Sequence, residues 1–488
     1  MTPIFNLLTQ MSVSFLFRRI IINFHLLSVY FMVYFFNRIF LGGFFINENK
    51  SYGLWTATAM IVGICVGSGI FFKVDDILTF TGGNIFLGAL VFIIGAFSII
   101  FGSITLSNLA SRTNGTGGVV SYFEEFYSKN LGSAVGWFQT FLYYPTVTVV
   151  VAWASGIYTC LLFSLPSNLD LQMGIGFFYL LSFYFINIVS KELGGRFQVI
   201  SSLAKLVPLI GVGIFAIFFN QGQPNIPAAV EAVPLTNVGM GWLAALAPTA
   251  FAYDGWTIAL SISGEVKNPK KTMPLALTIA PIIVLFVYLA YFLGMNKVLG
   301  PEYILSVGDG AVTTIGQLIL GKSGEVILLI FILISMLGVV NGIILSHLRM
   351  PYVLASKNMI PNSDKILKNT RGIFKNRSAM ISLFCGIFWF IIHYITQKFH
   401  LITTGDISEI AIVFGYIFYM MLYIKVLILF KQKVITNVFT GFIAPIFAMI
   451  GGLIIVFGGF SSNPTSMTIF FFICFLFCFS GYSYCKNK

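Results

Sequence analysis

Two ionisable side chains stand inside apolar runs of this chain. Asp254 lies in Pro248-Thr249-Ala250-Phe251-Ala252-Tyr253-Asp254-Gly255-Trp256-Thr257, and Lys205 lies in Lys205-Leu206-Val207-Pro208. A charge at bilayer depth costs several kcal/mol unless it is paired or hydrated, so each marks a functional site by default. The competing reading is that the two pair with each other as a structural tie. A third stretch, Gly63-Ile64-Cys65-Val66-Gly67-Ser68-Gly69-Ile70-Phe71, carries no charge but is equally out of place. Glycine costs roughly 1 kcal/mol against alanine inside a helix. In hydrocarbon, every N–H and C=O that a break frees must also find a partner without water. The stretch therefore reads as a helix break whose loose backbone groups hold a ligand. Taken alone, Gly63 and Gly67 also have the spacing of a helix-packing motif.

The elements that must position these residues follow from composition. Of 488 residues, 58% are hydrophobic and only 9% are charged, and the mean hydropathy is +0.93. Repeated apolar runs of about twenty residues are membrane spans, so the fold class is an all-α polytopic membrane protein. A β-barrel would alternate in short segments and is excluded. About twelve spans are expected from Tyr52 onward. Their approximate limits are 53–73, 84–108, 133–163, 172–190, 199–219, 241–264, 273–296, 323–347, 379–397, 406–429, 440–460 and 466–485.

The net charge of +12 raises nucleic acid as a partner, but the basic residues sit in short loops between spans. With the start of the first core span inside, the outer side receives Lys73, Lys297, Lys322 and Lys398, and most of the remainder fall inside. That bias supports both the span count and a cytoplasmic C-terminus. Apart from Asp254, the acidic residues fall in loops, at span ends or in the N-terminal leader. Residues 1–50 form an extension in which Arg18-Arg19 precede an apolar segment from Ile20 to Phe36. Three readings fit it: an extra helix, a segment lying along the membrane, or upstream sequence that is not translated. The six cysteines, Cys65, Cys160, Cys385, Cys474, Cys478 and Cys485, show no disulfide or zinc pattern. His25, His347, His393 and His400 are dispersed, with no catalytic or metal spacing. No cofactor and no enzymatic activity are expected.

The break at Pro248–Gly255 lies five spans after the one at Gly63–Phe71. Five is odd, so a second half built like the first would run inverted. Interrupted spans at matching places in inverted repeats point to the binding site of a secondary transporter. The repeats are expected at about 51–220 and 236–430, with accessory helices at about 440–485, all within a transporter domain at 51–488.

At this point the chain resembles the amino acid–polyamine–organocation permeases. Gly67-Ser68-Gly69-Ile70-Phe71 is similar to their first-span signature. Phe251-Ala252-Tyr253-Asp254-Gly255-Trp256, followed by Gly264-Glu265-Val266-Lys267-Asn268-Pro269, is similar to their sixth span and its exit. Thr116-Gly117-Gly118 with Tyr122-Phe123-Glu124-Glu125, Gly136-Trp137-Phe138-Gln139 with Tyr144-Pro145, and Asn341-Gly342 through Pro361 resemble the loop after span two, span three and span eight. The likeness covers about 51–485. It is strongest to the L-type branch, especially the bacterial serine/threonine exchangers.

The resemblance implies a LeuT-type five-plus-five inverted repeat with spans 1 and 6 broken, and an amino acid substrate crossing the membrane by alternating access. It places the substrate at Cys65, Ser68, Gly69, Phe251, Ala252 and Asp254. The N–H groups around Ser68 and Gly69 would receive the carboxylate, and carbonyls at Phe251, Ala252 and Asp254 the ammonium. Phe251 resembles an aromatic lid. Lys205 resembles a fixed cation that bridges carbonyls of spans one and eight where sodium-coupled relatives hold an ion, which implies sodium-independent transport. Two departures stand out. Asp254 replaces the glycine of eukaryotic L-type members, and Asn108 stands where the family usually has glutamate. Neutral amino acids are the expected cargo, moved by exchange or with a proton. A cationic amino acid or polyamine permease and a non-transporting amino-acid sensor are the alternatives. The loop Ser164-Leu165-Pro166-Ser167-Asn168-Leu169-Asp170 has no cysteine, so no disulfide-linked heavy chain is expected. The expected location is the plasma membrane.

Overall fold

The computed structural model describes residues 53–487 except 114–117, 191–192, 195–196, 199–200, 202–203, 258–265, 369–375 and 403–404. The apolar leader segment, Thr116-Gly117 and Gly264-Glu265 lie outside the described residues.

Polar caps set where several helices begin. The side chain of Asn84 accepts from Phe86 and Leu87, and those of Asn168 and Asn376 accept from Leu171 and Ala379. Asp406 caps the Ser408 and Glu409 N–H groups. Each such cap contributes about 1 kcal/mol by satisfying donors that an α-helix leaves free in its first turn. The helices they start are spans 2 (Ile85–Ala110), 4 (Leu169–Val189), 9 (Arg377–Lys398) and 10 (Ile407–Lys431). The others are span 3 (Lys129–Leu162), span 5 (described over Leu206–Phe218), span 6 (Gly239–Ala252), span 7 (Pro269–Leu299), span 11 (Phe439–Ser462) and span 12 (Pro464–Lys486). Span 8 is the later part of Ala311–Ser356, beyond a kink where Gly321 takes a φ of 65°.

Span 1 is divided. On the orientation expected from the basic residues, its inner half is Leu54–Cys65, and its outer half runs Gly69–Phe72 and, past a bend at Lys73, Val74–Phe80. Among the described residues nine helices are long and apolar enough to cross a membrane, and spans 5 and 6 are shorter apolar helices. With the divided span 1, the expected order of twelve is met. Span 8 continues past its expected end to Ser356, with Pro351 inside the helix.

Spans 3, 4, 8 and 9 pack on one another, span 7 packs against spans 1, 2 and 5, and span 6 touches spans 1, 2, 10 and 11. Small residues permit the closest crossings. A Cβ at Gly156 of span 3 would lie 2.1 Å from the Gln172 carbonyl of span 4, and one at Gly88 of span 2 would lie 2.4 Å from the Phe292 ring of span 7. Span 12 lies on the inner part of span 3, where Ser133 Oγ donates to the Gly481 carbonyl at 2.8 Å. At the inner end, Lys357 pairs with Glu124 of the loop helix Val119–Phe126, and Trp137 Nε1 donates to the Met359 carbonyl at 2.8 Å. Of the motif residues after span 2 and in span 3, Glu124 and Trp137 thus serve the scaffold.

Candidate functional site

The two breaks form where the sequence places them. Cys65 ends the inner half of span 1, Val66 turns extended (ψ 96°), and helix resumes at Gly69 with Ser68 as the capping residue. Ser68 is buried, and its side chain makes no cap hydrogen bond. In span 6 the helix ends at Ala252, the Asp254 N–H reaches the Phe251 carbonyl at 3.0 Å, and Gly255 takes a φ of +97°. A residue with a Cβ would be strained in that conformation, which is the physical reason for glycine after Asp254.

The breaks meet. A Cβ on Gly69 would lie 2.4 Å from Ala252 Cα. Tyr288, from span 7, ties the two half-helix ends together, since its hydroxyl lies 3.0 Å from the Cys65 carbonyl and 2.7 Å from the Ala252 carbonyl. One hydroxyl proton serves two carbonyls, so both ends keep acceptor capacity for a ligand donor. Cys65, Ser68, Gly69, Phe251 and Ala252 are therefore brought to one place. Sequence reasoning missed Tyr288, because a tyrosine in an apolar span carries no spacing signal.

Lys205 and Asp254 do not pair; among the described residues no ion pair joins them. Lys205 Nζ donates to the Gly63 carbonyl at 2.5 Å, within the last turn of the inner half of span 1. Of the carbonyls that Lys205 is expected to bridge, the described bond reaches Gly63 of span 1. Cys65 lies within electrostatic reach of both Asp254 and Lys205. Asp254 is half-buried and accepts at Oδ2 from the Tyr143 hydroxyl of span 3 at 2.5 Å. Tyr144, Tyr416 and Tyr419 also stand within its electrostatic range.

Phe251 lies edge-on to Phe72, with ring centroids 6.4 Å apart. Above it, the Lys73 ammonium sits 4.7 Å from the Phe72 centroid and 5.4 Å from that of Phe251, within cation–π range. The same ammonium lies 2.9 Å from Asp76, 2.9 Å from Asp406 and 2.6 Å from Glu409. Sequence reading put Lys73, Asp406 and Glu409 at span ends. They are buried instead, with Lys73 only 1% exposed, and they link spans 1 and 10 directly over the aromatic layer. Asn108, in the place of the family's usual glutamate, donates to the Thr440 carbonyl at 2.9 Å and so joins spans 2 and 11.

Twelve spans, with the first broken and its break meeting the end of the sixth-span helix, define a secondary transporter of the LeuT-type fold. The chain belongs to the amino acid permease family, whose sequence model matches residues 52–482. It is similar to the serine/threonine exchanger SteT of Bacillus subtilis, at 29% identity over 78% of this chain and 84% of that one. It is also similar to the human Asc-type amino acid transporter 1 (27% identity, 64% of this chain, 60% of that one). The human large neutral amino acids transporter small subunit 2 matches at 29% identity over 66% of this chain and 60% of that one. The fold matches the crystal structure of MhsT in complex with L-phenylalanine, with a TM-score of 0.51 at 15% identity, covering 85% of this chain and all of that one.

Proposed function

We propose that this permease carries small neutral α-amino acids, with the substrate held between the two breaks. The observation that carries the reading is the shared bond of Tyr288 to the Cys65 and Ala252 carbonyls. It marks the carbonyl ends of both half-helices as one acceptor site, suited to an ammonium group. The N–H groups around Ser68 and Gly69, on the facing side of the first break, suit the carboxylate. Phe251 closes the site outward, under Phe72 and Lys73. Asp254, with Tyr143, faces the bound molecule and contributes to its selection. Of the three sequence relatives, one is named for serine and threonine and one for large neutral amino acids, which supports a neutral cargo.

Transport is sodium-independent on this reading, because the Lys205 ammonium already supplies a fixed positive charge at the Gly63 carbonyl. Residues of about 51–220 and 236–430 act as the inverted repeats, and the C-terminus faces the cytoplasm of a plasma membrane. The protein works without a disulfide-linked heavy chain, since residues 164–170 hold no cysteine and Cys160 is buried within span 3. A second reading, a permease for cationic amino acids, draws on Asp254, which has no basic partner among the described residues.

Reconstitution tests these readings. Purified protein in liposomes loaded with unlabelled serine should take up labelled serine or threonine faster than unloaded liposomes, equally well in sodium and in choline. Preferential uptake of arginine or putrescine would move the function to the second reading. Strict dependence on sodium would overturn the role given to Lys205.

A further inference from the structure

Span 3 contains one turn of π-helix, Gln139–Tyr143, closed by the Tyr144 N–H bonding to the Gln139 carbonyl five residues back. That register takes the N–H that Thr140 would accept in an α-helix. The next N–H would come from residue 145, which is proline and has none. Phe141 also loses its α-helical donor to Pro145. Two carbonyls are therefore released in mid-span, where no water replaces the lost partners.

Each is met by a ring N–H from a neighbouring span. His347 of span 8 places Nε2 2.8 Å from the Thr140 carbonyl, and Trp389 of span 9 donates from Nε1 to the Phe141 carbonyl at 2.6 Å. A carbonyl can only accept, so His347 carries its proton on Nε2, and its Nδ1 accepts from the Tyr184 hydroxyl of span 4 at 2.9 Å. The ring is fully buried and stacked on Tyr144, with centroids 5.9 Å apart and planes 24° apart. Gly386 of span 9 leaves room for Tyr184; a Cβ there would lie 2.9 Å from the hydroxyl oxygen.

The same π-turn carries Tyr143, whose hydroxyl donates to Asp254 Oδ2 at 2.5 Å. A π-bulge is an α-helix with one residue inserted, so side chains on its two sides are rotated by roughly 100° relative to an unbroken helix. The aim of Tyr143 at Asp254 depends on that insertion. We propose that His347 is a positioning residue for the substrate site: by holding the Thr140 carbonyl it maintains the π-turn, which keeps Tyr143 on Asp254. The proposal rests on the reading that Asp254 faces the substrate.

The test uses the full chain in liposomes and the KM and maximal rate of labelled L-serine exchange. A glutamine amide can place its nitrogen near the position of Nε2, whereas an asparagine amide reaches only that of Nδ1. His347→Gln should stay within about twofold of the unmodified protein, and His347→Asn should raise KM about tenfold with little change in maximal rate. Tyr143→Phe should raise KM similarly, and adding His347→Asn to it should change nothing further, since both act through one bond. Pro145→Ala restores the N–H that the π register aims at the Thr140 carbonyl, so it should leave KM normal while His347 is intact and should lessen the effect of His347→Asn. Equal impairment by glutamine and asparagine, additive effects with Tyr143→Phe, or an undiminished His347→Asn effect in the Pro145→Ala background would each overturn the proposal. Asp254→Asn separates the layers. An unchanged KM there overturns the site reading and this inference together, whereas a raised KM beside a normal His347→Asn overturns this inference alone.

Discussion

Gly69 and Ala252 touch so closely that a Cβ on the glycine would lie 2.4 Å from the alanine Cα. Backbone presses on backbone at this point, and neither side has a flexible end to yield. The contact joins the outer half of span 1 to the end of the span 6 helix, so the two breaks behave as one structural unit.

Gly69→Ala should therefore separate the breaks even though it adds a single methyl group. Overpacking of this kind costs about 1–3 kcal/mol. Serine binding, read by calorimetry or by ligand-induced thermal shift, should weaken at least about tenfold. Gly69→Leu should abolish it. Unchanged affinity in Gly69→Ala would mean that the substrate does not sit between these residues.

Tyr288→Phe removes the hydroxyl shared by the Cys65 and Ala252 carbonyls. Two buried acceptors then lose their donor, at a cost of about 1–3 kcal/mol. The melting temperature of the substrate-free protein should fall. Saturating substrate should recover part of the loss, because its ammonium can donate to the same carbonyls. Equal losses with and without substrate would assign Tyr288 to the scaffold alone.

Lys73 is the buried counter-charge of Asp406 and Glu409. Lys73→Met leaves those carboxylates uncompensated, and breaking a buried pair in this way costs about 3–5 kcal/mol. Thermal unfolding should register a large loss. Adding Glu409→Gln should restore part of it by removing one of the stranded charges. A double variant no more stable than Lys73→Met would show that packing of the lysine stem on Phe72 and Phe251 matters more than its charge.

Lys205→Ala deletes the donor to the Gly63 carbonyl and empties a buried volume beside the first break. Exchange should fall by more than about tenfold. Recovery of the variant by added sodium would show that the ammonium stands in for an ion. No recovery would limit Lys205 to holding the inner half of span 1.

Much of this molecule is legible in its sequence. Apolar length, the asymmetry of basic loops and the misfit of Gly63–Phe71 and Pro248–Gly255 in a helix locate the spans and both breaks. These are one-dimensional consequences of transfer free energy and backbone hydrogen bonding, and they do not depend on what lies alongside. The partners of the breaks are a different matter. Tyr288 is one of 21 tyrosines, and nothing local distinguishes it. Lys73 reads as a loop lysine until span 10 brings Asp406 and Glu409 to it from more than three hundred residues away. His347 looks idle until Pro145 and the π-turn of span 3 present the carbonyl it bonds. The sequence determines that this chain breaks two helices inside a membrane. Only the tertiary structure decides which side chains satisfy the freed groups, because hydrogen bonds and ion pairs across spans are set by packing, to which sequence spacing is blind.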